Sequence, residues 1–131
     1  MELKSIFIII VDISGYTRFI KKHRVALLHA EKIIGDLMES ILDIVEMPVV
    51  AHEILGDAVS LYAVDSGSSG LADELYNQTT SYFKSFRKKE ALLLSDCQVC
   101  DCEACDDIGK LKLKAILHYG QVAFTKVKKM Q

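Results

Sequence analysis

Residues 5–13 read SIFIIIVDI, and this apolar run of mostly β-branched residues decides the fold of the 131-residue chain. A continuous run of this kind is typical of a central strand that is buried on both faces. We therefore predict a strand from Lys4 to Ile13. The next four residues, Ser14-Gly15-Tyr16-Thr17, interrupt the run and open a helical region.

The rest of the chain alternates helical and strand-like patterns. Apolar residues recur at spacings of three and four in two segments, which predicts amphipathic helices, and Pro48 stops the first of them. Gly56-Asp57 is a turn sequence between two apolar runs. The predicted elements are, in order, helix Val25–Glu46, strands Val49–Leu55 and Ala58–Val64, helix Leu71–Lys89, and strands Leu111–His118 and Gln121–Val127, the last two forming a hairpin at Gly120. This order predicts an α+β fold, a ferredoxin-like sandwich in which a mostly antiparallel sheet carries helices on one face.

Length and composition restrict the function. A chain of 131 residues fits a single domain, here residues 1–131. The net charge of −2 argues against a broad basic surface for nucleic acid. No segment approaches the about 18 apolar residues of a membrane span, and no secretory signal is convincing. We therefore expect a cytoplasmic protein without nucleic-acid or membrane partners.

Two acidic residues are the strongest functional lead. Asp12 ends the first strand, and Asp57 lies in the predicted hairpin turn. If the first strand lies beside that hairpin, the two carboxylates meet at one edge of the sheet. Paired carboxylates suit Mg²⁺ or Mn²⁺, usually together with substrate phosphates. The alternatives are that Asp12 caps the following turn or helix and that Asp57 serves only the turn.

The chain resembles the catalytic domain of class III adenylate and guanylate cyclases. The resemblance lies in three segments in the same order and spacing: Phe7–Phe19 (FIIIVDISGYTRF), Glu53–Val59 (EILGDAV) and Leu113–Val122 (LKAILHYGQV). The chain is still more similar to a bacterial family of cyclase-like domains of unknown function that carry a short cysteine cluster before the LHYG-type strand. The resemblance covers nearly the whole chain and implies a nucleotide cyclase-like fold.

The resemblance implies a role for each matching residue. Asp12 and Asp57 would hold two divalent cations, with the Ile13 carbonyl as a further ligand. Backbone amides of Gly15, Tyr16 and Thr17 would contact the phosphates of a purine nucleoside triphosphate. Glu53 occupies the position that reads the purine, where glutamate accompanies guanine and lysine accompanies adenine; the alternative is a solvent-facing strand residue.

The sequence also departs from the cyclase pattern. In cyclases, an asparagine and an arginine on a later helix stabilise the transition state, and no part of this chain, which ends at Gln131, matches that helix. Losing one such group typically costs about 10²–10³ in rate. We therefore expect a domain truncated at its C-terminus and inactive as this chain, whose full-length form would be a homodimer.

The cysteines form a second local signal. All four, Cys97, Cys100, Cys102 and Cys105, lie in a cysteine-rich loop, residues 96–107, inserted before a predicted strand. Four thiolates so close in sequence can hold one Zn²⁺ tetrahedrally, and disulfides between them would close small, strained loops. Structural zinc is the favoured interpretation. An unliganded thiol loop and a redox or disulfide role remain the alternatives.

Three functions compete at this point. The first is a nucleotidyl cyclase that converts GTP or ATP to a cyclic nucleotide as a full-length homodimer. The second, which the missing helix favours, is a module that binds a divalent metal and a nucleotide without turnover. The third is an interaction domain that is stabilised by a bound metal ion, in which Asp12 and Asp57 contribute only to folding.

Overall fold

The computed structural model of the chain describes residues 2–22, 27–96 and 107–125. These residues form four strands, three helices and one short 3₁₀ turn. In chain order the elements are β1 (Glu2–Ser14), α1 (Tyr16–Lys22), α2 (Leu27–Leu42), β2 (Val50–Leu55), β3 (Ala58–Val64), α3 (Leu71–Asp96), the 3₁₀ turn (Ile108–Lys110) and β4 (Lys112–Phe124).

The four strands form one sheet in the order β2-β3-β1-β4, and every neighbouring pair is antiparallel. β1 is central, as the apolar run predicts. It pairs with β3 from Ile6 to Asp12 and with β4 over its whole length from Glu2 to Ser14. The predicted α+β class, with an antiparallel sheet and helices packed on it, is confirmed.

One face of the sheet is covered by the helices. Alternate residues of a strand point to opposite faces, and Ile9, Val11 and Ile13 of β1 are fully buried. They belong to one hydrophobic core with Val59 and Leu61 of β3 and with the buried faces of α2 and α3. We call this side of the sheet the covered face.

The opposite face, called the open face below, differs from the prediction. Residues 5–13 predict a strand buried on both sides, yet Ile10 is 41% exposed. Ile116 of β4, directly opposite Ile10, is also exposed. Both helices that bury the core lie on the other side, so no helix of the described part of the chain covers the open face at Ile10 and Ile116.

The predicted hairpin at Gly120 is wrong. β4 runs without a break from Lys112 to Phe124, and Gly120 pairs with Ile6 in the middle of the β1–β4 ladder. The physical reason is that β1 begins at Glu2, earlier than the apolar pattern indicates, and so offers a partner along the full length of β4. A glycine within a strand weakens it but does not end it when the ladder continues on both sides.

The helix boundaries also shift. α2 ends at Leu42 rather than Glu46, and the amides of Ile44 and Val45 bond the carbonyls three residues earlier, which tightens the last turn. Glu46 is instead held by Gln78 of α3, whose amide accepts from the Glu46 N–H at 3.2 Å and donates to its carbonyl at 3.1 Å. Sequence periodicity could not show this contact.

α3 extends to Asp96, beyond the predicted end at Lys89. Its buried Tyr82 donates a hydrogen bond to Gln78, and burial, with a contribution from Glu46, raises the pKa of Tyr82 to about 12. Among the described residues, no helix combines the length and apolar character that crossing a bilayer requires.

Candidate functional site

The fold brings Asp12 and Asp57 together. The β1–β3 ladder ends at the pair Asp12–Ala58, and Ala58 directly follows Asp57 in the chain. The next rung is a hydrogen bond of 2.9 Å from the Ile13 amide to the Asp57 carbonyl. Asp12 therefore lies at the end of the β1–β3 ladder, and Asp57 lies in the adjoining β2–β3 turn, so their backbones are close at one edge of the sheet.

The turn that carries Asp57 is shaped by Gly56 and covered by Tyr16. Gly56 has a φ of +52°, a left-handed conformation that glycine adopts without strain. A Cβ on Gly56 would lie 3.8 Å from the Tyr16 hydroxyl oxygen. The first residue of α1 thus reaches to the hairpin turn, so α1 and the β2–β3 turn frame the same edge of the sheet.

Both carboxylates are available to a ligand. In residues 2–22, 27–96 and 107–125, neither the Asp12 nor the Asp57 side chain makes a hydrogen bond or ion pair. The capping role considered for Asp12 is therefore not used. Each side chain is only partly buried, so solvent and a ligand can reach it.

The donor set fits a hard cation. Mg²⁺ commonly binds through one or two carboxylates and completes its shell with waters and substrate phosphates. Within the described residues no cluster of three or more His, Cys, Asp or Glu side chains occurs, so Asp12 and Asp57 would act as a pair. Such a pair leaves most of the coordination shell to phosphate and water.

Ile13 and the start of α1 lie at the same edge. Ile13 is fully buried on the covered face, and its N–H is engaged with Asp57; the role of its carbonyl as a metal ligand stays a prediction. Gly15, with a φ of +93°, turns the chain from β1 into α1, and its carbonyl accepts the Phe19 amide at 2.9 Å. Thr17 is exposed beside Tyr16. Phosphate contacts of these amides also stay a prediction.

Glu53 shares the open face with Asp12. It pairs with Ser60 of β3, which in turn pairs with Ile10 of β1, two residues before Asp12. Two strand spacings separate Glu53 from β1, about 10 Å. Its side chain is exposed, so Glu53 is accessible to a ligand at the carboxylate pair but does not join that pair.

Lys114 is a site residue that the sequence analysis missed. It lies directly opposite Asp12 on β4, and Lys112 lies opposite Ser14, so both lysines lie on the open face. The alternation of Leu111, Leu113 and Ala115 with lysines indicates a half-exposed strand, but not which strand is its neighbour. The sequence therefore indicates that Lys112 and Lys114 are exposed, but it does not indicate that Lys114 lies opposite Asp12.

The predicted zinc ligands, Cys97, Cys100, Cys102 and Cys105, lie outside the described residues. The two ends of the predicted loop are described. Asp96 is the last residue of α3, and Asp107 is a buried acid directly before the 3₁₀ turn. Zinc at the cysteines stays a prediction.

One protein-family model matches most of the chain. Residues 34–131 match the model of the family described as "Protein of unknown function (DUF2652)". The chain belongs to this family. No curated protein matches the sequence. Membership in this family therefore does not indicate a function, and the function has to be inferred from the fold and the site.

Solved structures share the fold. The chain is similar to the adenylyl cyclase CyaB from P. aeruginosa, with a TM-score of 0.61 over 92% of this chain. It is also similar to the guanylyl cyclase Cya2, with a TM-score of 0.64, and to a bacterial light-regulated adenylyl cyclase, with a TM-score of 0.57, each over 98% of this chain. Sequence identity is 14% in all three comparisons.

The similarity confirms a cyclase-like fold, as the three sequence segments predict. At 14% identity it shows the fold alone. The chain spans 58% of the length of CyaB and 60% of the other two cyclases.

Proposed function

We propose that the sheet edge at Asp12 and Asp57 binds a divalent cation, Mg²⁺ or Mn²⁺, together with the phosphates of a purine nucleotide, and that this chain binds without turnover. The observation that supports the proposal is the register that brings the backbones of Asp12 and Asp57 close to each other. The rung at Asp12 is followed by the 2.9 Å bond from Ile13 to Asp57. Two unpaired carboxylates at one edge repel each other, and a cation between them relieves that repulsion.

Charge on the open face supports a phosphate-bearing ligand. A bare carboxylate pair would repel phosphate, and a metal ion together with Lys114, opposite Asp12, offsets that repulsion. Glu53 is exposed on the same face and reads the base, with guanine favoured because its N1–H and its exocyclic amino group donate hydrogen bonds to a carboxylate. A metal here would neutralise phosphate charge.

The second candidate is a nucleotidyl cyclase that is active only as a homodimer. It is supported by the cyclase-like fold, which is shared with an adenylyl and a guanylyl cyclase. It is also supported by the open face, where Ile10 and Ile116 are exposed side by side. A second copy of the domain on this face would bury both residues and bring additional groups to the carboxylate edge.

For the cysteine segment we keep a structural Zn²⁺ on Cys97, Cys100, Cys102 and Cys105 as part of the proposal. The support is the spacing of the four thiols and the place of the segment between α3 and the 3₁₀ turn. A zinc there would connect these two elements. Metal analysis of the purified protein tests it, with about one zinc per chain expected and none after all four cysteines are changed to serine.

Calorimetric titration tests the nucleotide site. The protein is titrated with non-hydrolysable GTP and ATP analogues in Mn²⁺, alongside Asp57→Asn and the control Asp43→Asn, which removes an exposed acid elsewhere. We expect wild type and Asp43→Asn to bind equally and Asp57→Asn to bind at least about tenfold more weakly, because a charged ligand to the metal is lost. Equal binding by all three proteins, or none by wild type, contradicts the proposal. Cyclic nucleotide formed from GTP or ATP would favour the second candidate.

A further inference from the structure

The two outer strands of the described sheet, β2 and β4, differ in regularity. β2 has six residues, and its pairing with β3 shifts register between Ala51 and Glu53. A β-bulge of this kind distorts an edge strand and discourages further pairing. β4 has thirteen residues, contains no proline, and pairs with β1 without a shift from Lys112 to Phe124. β4 is therefore long and regular enough to accept another strand.

Two hydrogen bonds show which backbone groups of β4 face away from β1. The Ile13 amide donates to the Asp57 carbonyl, and the Asp65 amide donates to the Ser5 carbonyl, each at 2.9 Å. Odd-numbered residues of β1 therefore direct their backbone groups toward β3, and even-numbered residues direct theirs toward β4. Since even-numbered residues of β1 lie opposite even-numbered residues of β4, these exchange the hydrogen bonds of the ladder. The odd-numbered residues of β4, such as Leu117, point their N–H and C=O groups outward.

The outward backbone groups of β4 lack partners in the described part of the chain. In residues 2–22, 27–96 and 107–125, no strand lies beyond β4, and no backbone hydrogen bond reaches the odd-numbered residues from 113 to 123. A row of unpaired groups on a regular strand is a template for a further strand. An added antiparallel strand would supply about one hydrogen bond per residue pair.

Apolar side chains accompany this edge on both sides of the sheet. Ile116 is 50% exposed on the open face, and on the covered side Leu117 and Tyr119 are 44% and 51% exposed. Tyr119 is already held in place, because its hydroxyl donates to Asp65 Oδ2 at 2.9 Å and its ring lies 4.7 Å from the Phe7 ring. A side chain that is ordered in advance loses little entropy on association. The edge therefore offers apolar contacts as well as backbone groups.

The charge pattern of β4 favours a second copy of this chain as the added strand. Lys112 and Lys114 lie at the start of β4, which contains no acid. A twofold axis at His118 pairs the full length of both strands antiparallel. Lys112 then lies opposite the partner's Phe124, and Lys114 lies opposite the partner's Val122, so no two lysines face each other. An ammonium beside an aromatic ring is favourable, and a twofold interface closes at two copies.

We propose that two copies of this chain pair through β4, antiparallel and centred on His118, so that their two four-stranded sheets form one continuous sheet. The interface uses the edge of the sheet and leaves both open faces uncovered. It therefore differs from the open-face homodimer considered above, since Ile10 takes no part in it. The carboxylate pair and its ligand are not required.

Gln121→Pro tests the pairing. Gln121 is exposed, and its N–H points outward, so proline removes an edge donor and leaves the bonds to β1 in place. Gln121→Ala is the matched control, because it loses the same side chain and keeps the N–H. By sedimentation velocity from micromolar to near-millimolar concentration, we expect wild type and Gln121→Ala to dimerise equally. Gln121→Pro should raise the dimer dissociation constant about tenfold or more, because twofold symmetry removes two hydrogen bonds at once.

Amide hydrogen exchange of the wild-type protein tests the same pairing without a variant. The outward amides of Leu117 and Tyr119 should exchange rapidly in dilute protein and about tenfold or more slowly in concentrated protein, because the dimer places them in hydrogen bonds. The inward amide of His118 is the internal control and should exchange slowly at both concentrations.

Three results would overturn the proposal. The first is a wild-type protein that stays monomeric at every concentration, or equal dissociation constants for wild type, Gln121→Ala and a folded Gln121→Pro. The second is slow exchange of the Leu117 and Tyr119 amides even in dilute protein, which would show that another part of the chain covers the edge. The third is a dimer that Ile10→Lys abolishes while these amides exchange rapidly, which would place the interface on the open face.

Discussion

The two faces of β1 carry similar apolar residues but have different roles. On the covered face, Ile9, Val11 and Ile13 are buried under α2 and α3. On the open face, Ile10 is 41% exposed and is followed by Asp12, whose carboxylate has no partner in the described residues. One strand thus supplies the core with one set of side chains and a candidate binding surface with the other.

Polar side chains on the two sides of the sheet differ in whether they have hydrogen-bond partners within the fold. Beneath the covered face, Gln78 makes three hydrogen bonds, to the backbone of Glu46 and to Tyr82. On the open face, Asp12 makes none with the described residues, and neither does Asp57 in the adjoining turn. Buried polar groups must be satisfied within the fold, whereas exposed ones can remain available to a ligand. The comparison therefore separates residues that stabilise the protein from residues that can bind.

The largest difference is expected between neighbouring isoleucines of β1. Ile9→Ala should lower the free energy of unfolding by about 2–5 kcal/mol, because it leaves a cavity in the core. Ile10→Ala, the matched variant on the open face, should cost less than about 1 kcal/mol, since Ile10 is partly exposed and no cavity forms. Urea denaturation of both variants measures the difference. Equal losses would show that the open face is covered in solution.

A second pair of variants compares polar residues. Gln78→Ala should destabilise the protein by about 1–3 kcal/mol, because it leaves the buried Tyr82 hydroxyl and the Glu46 backbone groups without partners. Asp57→Asn should leave the denaturation midpoint nearly unchanged while it weakens the Mn²⁺-dependent nucleotide binding proposed above by at least about tenfold. Denaturation and calorimetry on both variants check this. A stable Gln78→Ala protein would contradict the division of roles.

Association tests the open face directly. Ile116→Lys places a charge beside Ile10 and should raise the dimer dissociation constant about tenfold, since burying a charge against an apolar surface is unfavourable. Leu92→Lys is the control, because Leu92 is similarly half-exposed but lies on α3. Sedimentation velocity over a range of concentrations measures both variants. A protein that stays monomeric at every concentration argues against pairing through this face.

The smallest expected effect concerns Glu90 of α3, which is an exception among the buried polar groups. Glu90 Oε2 is buried and, among the described residues, has no hydrogen-bond partner, and burial raises the pKa of Glu90 above its ordinary 4.5 although Lys112 and Arg87 act against the shift. The unfolded chain then loses this proton at lower pH than the native protein, so stability falls as pH rises through the interval above 4.5.

Glu90→Gln removes this group, and it should stabilise the protein by on the order of 0.5 kcal/mol at neutral pH. The gain should shrink as the pH is lowered toward the ordinary carboxyl range, where both states carry the proton. Thermal unfolding from acidic to neutral pH measures it, with the exposed Glu31→Gln as control. A gain that does not depend on pH would assign the stabilisation to another cause.

Sequence reasoning predicted what local pattern determines. The apolar run gave β1, the Gly56-Asp57 turn gave the β2–β3 hairpin, and three short segments gave the cyclase-like fold. The meeting of Asp12 and Asp57 followed once β1 was placed beside the hairpin.

What the sequence could not show depends on contacts between distant residues. Burial of β1 on one face only follows from where the helices pack, and an apolar run is the same whichever face they cover. The strand through Gly120 follows from the length of β1. The position of Lys114 opposite Asp12 follows from the β1–β4 register. Helix packing and strand register cannot be determined from neighbouring residues alone.

The pairing of β1 with β4 also has a consequence for the order in which the chain folds. Its rungs run from Glu2–Phe124 to Ser14–Lys112 and so join residues about a hundred positions apart. β1, β2 and β3 all lie within the first 64 residues, so the edge that holds Asp12 and Asp57 can assemble early during synthesis. β4 can pair with β1 only after residues 112–124 have left the ribosome, and until then one side of β1 offers unpaired backbone groups to any chaperone or neighbouring chain.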